Sequence, residues 1–363
     1  MSRNQSFASL SASLAVTLLA IGFAADATAD PLPGRDQLKF AQEPMIFTTI
    51  QDPNGTVGVY HGHDELSTLY SSSLPGAPNT DYSGTAMADD FADKFSTPVL
   101  HVRWWGSYLH NITNPSKPID KFLIAFESDV PASQNPLGPF STPGAVLNAQ
   151  IVDRGTLSLG SGTFTEKLVQ SFPAPNEDIY EYNAELHLGK EFFQQPDTVY
   201  WLKIAALVDV DLNDPVPPVQ WGWHNRDYTV MSAQGAAVTP PVAPGERDER
   251  IELGLLNYPT PVWHFQDDSV SANTRIGFDA SMPSMPTFVQ QSNYVPQFYK
   301  DGLDGPGPIV AADGTVLAPG IGSFSKDLAF HLYTLTIPEP SSCLLMVMGL
   351  AGLITRRRKA LCS

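Results

Sequence analysis

Proline is the residue that most constrains what this chain can fold into. The sequence has 32 prolines among 363 residues, about 9%, whereas an average chain has ~5%. Each proline removes a backbone amide donor and fixes φ, so a long helix has few stretches in which it could continue. The proline content therefore predicts short extended segments joined by stiff loops.

The segments between the prolines are rich in β-branched and aromatic residues, as strands are. Residues 178–186 alternate with a period of two, and residues 200–208 are apolar almost throughout, as expected of a strand buried on both faces. No window of the body sustains a helical stripe with caps. The sequence therefore predicts an all-β body, a β-sandwich or jelly roll. Its clearest strands are expected at 99–108, 121–127, 163–169, 178–186, 200–208, 220–224 and 328–334.

Long proline-rich loops are expected to join these strands, because fixed φ values keep such loops stiff. The segment 236–320 holds much of this loop sequence and is either a large insertion or a smaller second lobe. The loops are expected at 213–218, 236–245, 281–296 and 302–320.

Residues 1–29 have the three parts of a secretory signal. Arg3 gives the charged start, residues 14–23 form a short apolar segment, and Ala27 and Ala29 supply a signal peptidase site. An uncleaved anchor is the alternative, but the apolar segment is short for crossing ~30 Å of hydrocarbon. The sequence therefore predicts a signal helix that signal peptidase removes, leaving a secreted body over 30–337.

Residues 338–359 have a second three-part pattern, in which a helix-breaking motif precedes an apolar stretch and a basic cluster. The stretch is short for a stable span, and the cluster would hold it in the inner membrane with its positive end in the cytoplasm. The sequence therefore predicts transient membrane anchoring by a short C-terminal hydrophobic helix. The parts are Pro338, Glu339 and Pro340, then residues 343–354, then Arg356, Arg357, Arg358 and Lys359.

This pattern resembles the PEP-CTERM sorting signal of Gram-negative bacteria. The resemblance implies recognition by an exosortase, removal of the tail, and export to the cell surface or to an extracellular matrix of exopolysaccharide. An ordinary C-terminal anchor is the alternative, and the Pro-Glu-Pro motif directly before the apolar stretch is evidence against it.

Several short motifs in the body together resemble an uncharacterised secreted all-β domain that is often found upstream of PEP-CTERM tails. That family has no assigned activity, so the resemblance implies architecture and location only. The motifs lie at 88–91, 102–108, 122–126, 129–131, 200–202, 221–223 and 327–330.

The formal net charge of −17 makes nucleic acid an unsuitable partner, because phosphate binding needs Lys and Arg. An acidic surface attracts divalent cations instead. One loop offers the alternating oxygen ligands that calcium favours, without the glycine and glutamate of an EF-hand, so it is either a calcium site or a solvated loop. Its candidate ligands are Asp209, Asp211, Asn213 and Asp214.

Four tryptophans are candidates for stacking on sugar rings, with core packing as the alternative. Adjacent residues of a strand face opposite ways, so one indole of the first pair is expected in the core and the other outside. A bulge at Gly106 would break that alternation. The four are Trp104, Trp105, Trp221 and Trp223.

The motifs that could carry catalysis are weak. His61 and His63 share a strand face, but Asp64 is out of register for a metallohydrolase. Adjacent aspartates at 89–90 and 267–268 face opposite sides of a strand, so neither pair has glycosidase geometry. No known nucleophile motif is present in the body.

The sequence thus favours a non-enzymatic, exported cell-surface or matrix protein. The alternatives are a carbohydrate-binding module for exopolysaccharide and a secreted hydrolase.

Overall fold

The computed structural model of the protein describes residues 32–335 with gaps, and every regular element in that part of the chain is a β-strand. The prediction of an all-β body is confirmed. The signal residues, the sorting signal and both expected terminal helices lie outside the described residues. Within the described part, the chain forms no helix with the length and apolarity that a membrane crossing requires. The gaps are 47, 52–56, 61, 72–80, 111–114, 116, 137–139, 173–177, 212, 228–232, 238–245, 248–262, 265–268, 280–281, 297–308, 311–315 and 319–326.

The described residues form twenty strands. In chain order they are β1 (Gln37–Gln42), β2 (Thr48–Gln51), β3 (Val57–Tyr60), β4 (Asp64–Leu66), β5 (Thr68–Ser71), β6 (Asp81–Phe91), β7 (His101–Tyr108), β8 (Lys121–Val130), β9 (Thr142–Arg154), β10 (Thr163–Gln170), β11 (Ile179–Glu185), β12 (Tyr200–Val208), β13 (Trp221–His224), β14 (Glu246–Arg247), β15 (Trp263–His264), β16 (Val270–Asp279), β17 (Met282–Pro296), β18 (Ile309–Val310), β19 (Val316–Ala318) and β20 (Phe330–Thr334).

Fourteen of these strands form one large sheet, in the order β1-β20-β7-β11-β10-β9-β8-β12-β5-β6-β16-β17, with β13 joining β4 to β7. Strands β9 and β10 pair in parallel through two residue pairs only. At that junction the sheet folds over. In sheet order, the first half consists of β1, β20, β7, β11 and β10, together with β13 and β4. It faces the second half, which consists of β9, β8, β12, β5, β6, β16 and β17. The two layers pack as in a β-sandwich, although they belong to one sheet.

The core lies between the two halves. Strand β12 shows how the sequence builds it, because alternate side chains point to opposite faces. Leu202 and Ile204 enter the main core, whereas Trp201 and Ala205 pack on the other face. Aromatic rings join the layers, for example Trp104 of β7 and Phe122 of β8, whose centroids are 5.2 Å apart.

The second half is also covered on its outer face. The long hairpin of β16 and β17 continues the sheet from β6 and contacts β9, enclosing a second apolar cluster. Strand β12 is therefore buried along its whole length, as the sequence predicted. The members of this second apolar cluster include Leu69, Tyr82, Leu123, Ile151, Leu207 and Ile276.

The segment 236–320 is not wholly an insertion or a second lobe. Its residues 270–279 and 282–296 are β16 and β17 of the main sheet. The expected loop at 281–296 is therefore wrong, because almost all of it is strand β17. Proline is tolerated there since β17 pairs with β16 on one side and stands at the end of the sheet order, where one edge needs no ladder donor.

Candidate functional site

The four tryptophans predicted to stack on sugars are all buried. Trp104 stacks on Tyr182 in the main core, with the ring centroids 5.4 Å apart. Trp105 does face the opposite side of β7, but that side is covered as well, and its ring lies 4.8 Å from the His331 ring. The expectation that one indole of this pair lies outside is therefore wrong.

The second pair is buried in the same way. The indole of Trp221 donates a hydrogen bond to the Tyr182 hydroxyl at 3.1 Å, and that of Trp223 donates to the Ala329 carbonyl at 2.9 Å. Both indole N–H groups are thus satisfied inside the protein. A sugar-stacking role for these four residues is wrong, because no indole face is presented to solvent.

The structure does not bring together the four predicted calcium ligands, Asp209, Asp211, Asn213 and Asp214. The Asp209 carboxylate lies 3.4 Å from the Lys121 ammonium, whereas Asp214 is held by Lys117. Asp211 accepts a hydrogen bond from the Asn213 amide at 2.9 Å. Because each carboxylate has its own partner, this loop does not form the predicted calcium site.

No metal centre is formed elsewhere in the described ranges, where no three His, Cys, Asp or Glu side chains come together as ligands. His63 lies 3.2 Å from the Glu65 carboxylate, and its predicted partner His61 lies outside the described residues. Asp89 accepts the Leu328 amide at 2.7 Å. These residues serve the fold rather than a shared site.

A polar groove of about 670 Å³ crosses the strands β6, β16 and β17. That volume lies within the range of pockets that hold small ligands. The groove combines hydroxyls, amides and a guanidinium. It is lined by Ser83, Gly84, Asn273, Thr274, Arg275, Gln290, Gln291 and Ser292.

Strand register places these side chains in rows across the three strands. Ser83 of β6 is opposite Arg275 of β16, which is opposite Gln290 of β17. One row along, Asn273 is opposite Ser292. The rows are ~6.8 Å apart, because side chains on one face recur every second residue. All five side chains are exposed.

A third row adds an aromatic side chain at one end of the groove. Phe288 of β17 lies across Gly277 of β16, where a Cβ would come within 2.3 Å of the ring. The Arg275 guanidinium lies 5.5 Å from the centroid of Phe288 and 2.5 Å from the Asp81 carboxylate. Glycine at 277 therefore makes room for the ring, and the ring and Asp81 together position Arg275.

The strands below the groove are fixed by a buried ion pair. The Lys203 ammonium of β12 lies 2.8 Å from the Glu127 carboxylate of β8, and both side chains are fully buried. Gln291 of β17 donates a hydrogen bond to the same carboxylate at 2.8 Å. Burial lowers the pKa of Lys203, and Glu127 opposes that shift. This contact ties β17 to β8 and β12 and keeps the groove floor in register.

The groove residues were not among the candidate site residues predicted from the sequence. One signal was present, since the polar residues Ser271, Asn273 and Arg275 alternate with Val270, Ala272, Thr274 and Ile276, of which only Thr274 is polar. The rows themselves depend on the pairing of three strands, and a shift of one residue would turn every side chain to the other face.

Comparison with known proteins gives two matches. Residues 38–274 match a family described as a domain of unknown function, DUF7901, and residues 336–359 match the PEP-CTERM protein-sorting motif. No curated protein and no solved structure matches the chain significantly. The family match contains β6 and the first half of β16, and so two of the three strands of the groove.

Proposed function

We propose a function for this chain, which belongs to the DUF7901 family, a domain of unknown function, and carries a PEP-CTERM motif. It is a non-enzymatic protein of the cell surface or extracellular matrix. It binds exopolysaccharide in the groove of β6, β16 and β17. The sorting motif makes the chain an exosortase substrate that is exported in a Gram-negative bacterium. The destination, the polysaccharide and the binding role are the proposal.

The observation that carries the proposal is the chemistry of the three rows. Sugars present many hydroxyls, each of which is both donor and acceptor. The amides of Asn273 and Gln290 offer donors and acceptors together, and Ser83 and Ser292 add hydroxyls. Phe288 beside them adds apolar surface at one end of the groove, against which the C–H groups of a sugar can pack.

Charge indicates which kind of polysaccharide fits best. Arg275 is the cation of the groove, and Asp81 neutralises it at 2.5 Å. The chain as a whole is acidic, with a formal net charge of −17, so it repels a polyanion over long range. A neutral polysaccharide therefore fits the groove better than an acidic one.

Binding rather than catalysis is favoured by the way the groove groups are engaged. Asp81 is paired with Arg275, and the amides and hydroxyls on the three strands hold a ligand without supplying a strong acid or nucleophile. A wide, shallow surface on a rigid sheet suits a polymer that passes over several rows.

The test is a binding measurement on the mature body with purified exopolysaccharide from the producing cells and an array of neutral and acidic glycans. The double variant Asn273→Ala/Gln290→Ala should bind about thirtyfold more weakly, since each of the two lost hydrogen bonds is worth about 1 kcal/mol. Gln195→Ala removes an exposed amide on a loop that does not line the groove, and this variant should bind as the unaltered body does.

Two results would contradict the proposal. Equal binding by the double variant and the Gln195 control would place the ligand elsewhere. Release of reducing ends from the polysaccharide by the unaltered body would identify a hydrolase instead.

A further inference from the structure

The two chain termini of the described body lie together at one end of the sheet. Gln37, at the start of β1, is directly opposite Thr334, the last residue of β20. Along the same end, Tyr333 is opposite His101 of β7, and His101 is opposite Glu185 of β11. Two strand spacings separate Tyr333 from Glu185, a distance of ~10 Å. We call this region the terminal end of the body.

Two loops are fastened to the terminal end by the Glu185 carboxylate. It accepts hydrogen bonds from the Arg35 guanidinium at 2.9 Å and from the Gly160 amide at 3.1 Å. The Gly160 carbonyl in turn accepts the Leu188 amide at 3.0 Å. The turn between β9 and β10 and the loop after β11 therefore meet beside the chain termini.

Exposed leucines are concentrated on this end. Leu188 is 77% exposed, Leu159 62% and Leu335 42%. Lys190, two residues after Leu188, is exposed as well. Apolar side chains beside a lysine suit the boundary between lipid headgroups and hydrocarbon, where the lysine can meet phosphate.

The length of chain beyond the body determines what can cover these leucines. Eight residues lie between Thr334 and Cys343, where the apolar stretch of the sorting motif begins, and the nine backbone steps that join the two span at most ~30 Å. The headgroup region on the outer side takes up several ångströms of that reach. The tether therefore turns the terminal end of the body towards the bilayer and keeps it within reach of the lipid surface.

We propose that the terminal end, through Leu159, Leu188 and Leu335, is a lipid-contact surface that rests on the outer face of the inner membrane while the sorting tail is anchored there. The proposal rests on the proposed function, in which the chain is an exosortase substrate, and on the transient anchoring that the sequence predicts for its tail. The acidic body is repelled by anionic lipid, so the contact depends on the tether and ends when the tail is removed.

The test uses the chain from residue 30 to residue 363 in vesicles of phosphatidylethanolamine and phosphatidylglycerol. Cys343 and Cys362, the two cysteines of the sequence, are changed to serine, so that Leu188→Cys carries a polarity-sensitive dye alone. Val216→Cys is the matched control. Val216 is 50% exposed. Its loop lies at the opposite end of β7 from the terminal end, because the Gln220 carbonyl accepts a hydrogen bond from the Leu109 amide just after β7.

The expected result is blue-shifted emission and quenching by brominated lipid at position 188 but not at position 216. The same label on a body that ends at residue 337 should stay unshifted. No shift at 188, or equal shifts at both positions, in chains that float with the vesicles would overturn the lipid-contact surface alone. Chains that do not float with the vesicles would overturn it together with the anchoring.

Discussion

The carboxyl group of Asp89, close to the C-terminal end of β6, is fully buried. Its burial and its repulsion from Asp327 raise its pKa well above the ordinary value, while Arg226 and the amides of Leu328 and Asp90 oppose that shift. The folded protein therefore keeps a proton on Asp89 at pH values where the unfolded chain has lost it.

The raised pKa of Asp89 makes the free energy of unfolding depend on pH. Unfolded Asp89 ionises near 3.8, and above that pH the folded state binds more protons than the unfolded state. The contribution of Asp89 to the free energy of unfolding therefore falls as pH rises from about 4 through the raised pKa. Asp89→Asn is neutral at every pH and should flatten that part of the curve of melting temperature against pH. Parallel curves for the two proteins would show that Asp89 does not titrate this way.

Trp104 and Trp105 belong to different clusters on the two faces of β7. Because both rings are buried, we expect truncation to alanine to cost about 3–5 kcal/mol at either position. Phe193, which is 70% exposed, is the control, and Phe193→Ala should change the stability by less than about 0.5 kcal/mol. Denaturant melts of the three variants measure this. A small loss for Trp105→Ala would mean that its face of the sheet is open in solution.

At the level of single residues, the sequence predicted the side of a strand on which a residue lies better than it predicted what covers that side. It correctly placed the two indoles on opposite sides of one strand, because alternation is a local property. It could not show that the outer side is covered too, since that cover comes from residues far along the chain, Val169, Phe172 and Ile179 on one side and Ala329 and His331 on the other. The groove was missed for the same reason, as its rows join residues 81–85 to residues 273–292.

At the level of elements, β7 and β13 approach each other unusually closely. A Cβ at Gly106 would lie 2.3 Å from the Gly222 carbonyl oxygen and 2.4 Å from the Trp221 ring. The pairing of β7 with β11 is regular through Gly106, so this glycine serves close packing rather than the bulge that the sequence left open.

Gly106→Ala should therefore destabilise the protein by about 1–3 kcal/mol or more, because the two strands must separate to admit a methyl group. Gly155→Ala is the control. Its nearest neighbour is the Thr163 methyl at 3.1 Å, which can shift slightly. Thermal melts of the two variants compare them, and an equal small loss at both positions would contradict the close approach.

Local sequence predicted some strands well and missed others. The strand at 200–208 was recognised because both its faces are apolar and buried. Strand β6 was not recognised, since its sequence DYSGTAMADDF contains three aspartates and a glycine, which are poor strand formers. Its pairing with β5, β12 and β16 overrides that weak preference. Strand β17 was taken as a loop because its prolines suit an edge strand as well as a loop.

At the scale of the whole molecule, the PEP-CTERM motif predicts a processed product. Mass spectrometry of the exported protein should find a chain without residues 343–363, because exosortase removes the tail. Replacing the Pro-Glu-Pro motif with three alanines should leave the protein in the membrane fraction. Recovery of exported molecules that retain Arg356 to Lys359 would contradict this processing.

A second whole-molecule prediction concerns β20. A body that ends at residue 326 loses the ladders of β20 with β1 and β7, together with the buried side chains of Leu328, Phe330 and Leu332. We expect it to show no cooperative thermal transition by circular dichroism, whereas a body that ends at residue 337 should melt cooperatively. Similar transitions for the two bodies would show that β20 is dispensable.

Because β20 lies between β1 and β7, the first strand of the body can join the sheet only after one of the last strands has been made. A polypeptide that crosses the membrane from its N-terminus presents β1 and β7 long before residue 330 arrives, and their open edges and core remain accessible to proteases until then. A prematurely terminated chain never completes the sheet and stays accessible to proteases. A chain long enough to carry the sorting motif has already delivered β20. A chain truncated before residue 330 therefore lacks both the strand that holds β1 in the sheet and the sorting motif.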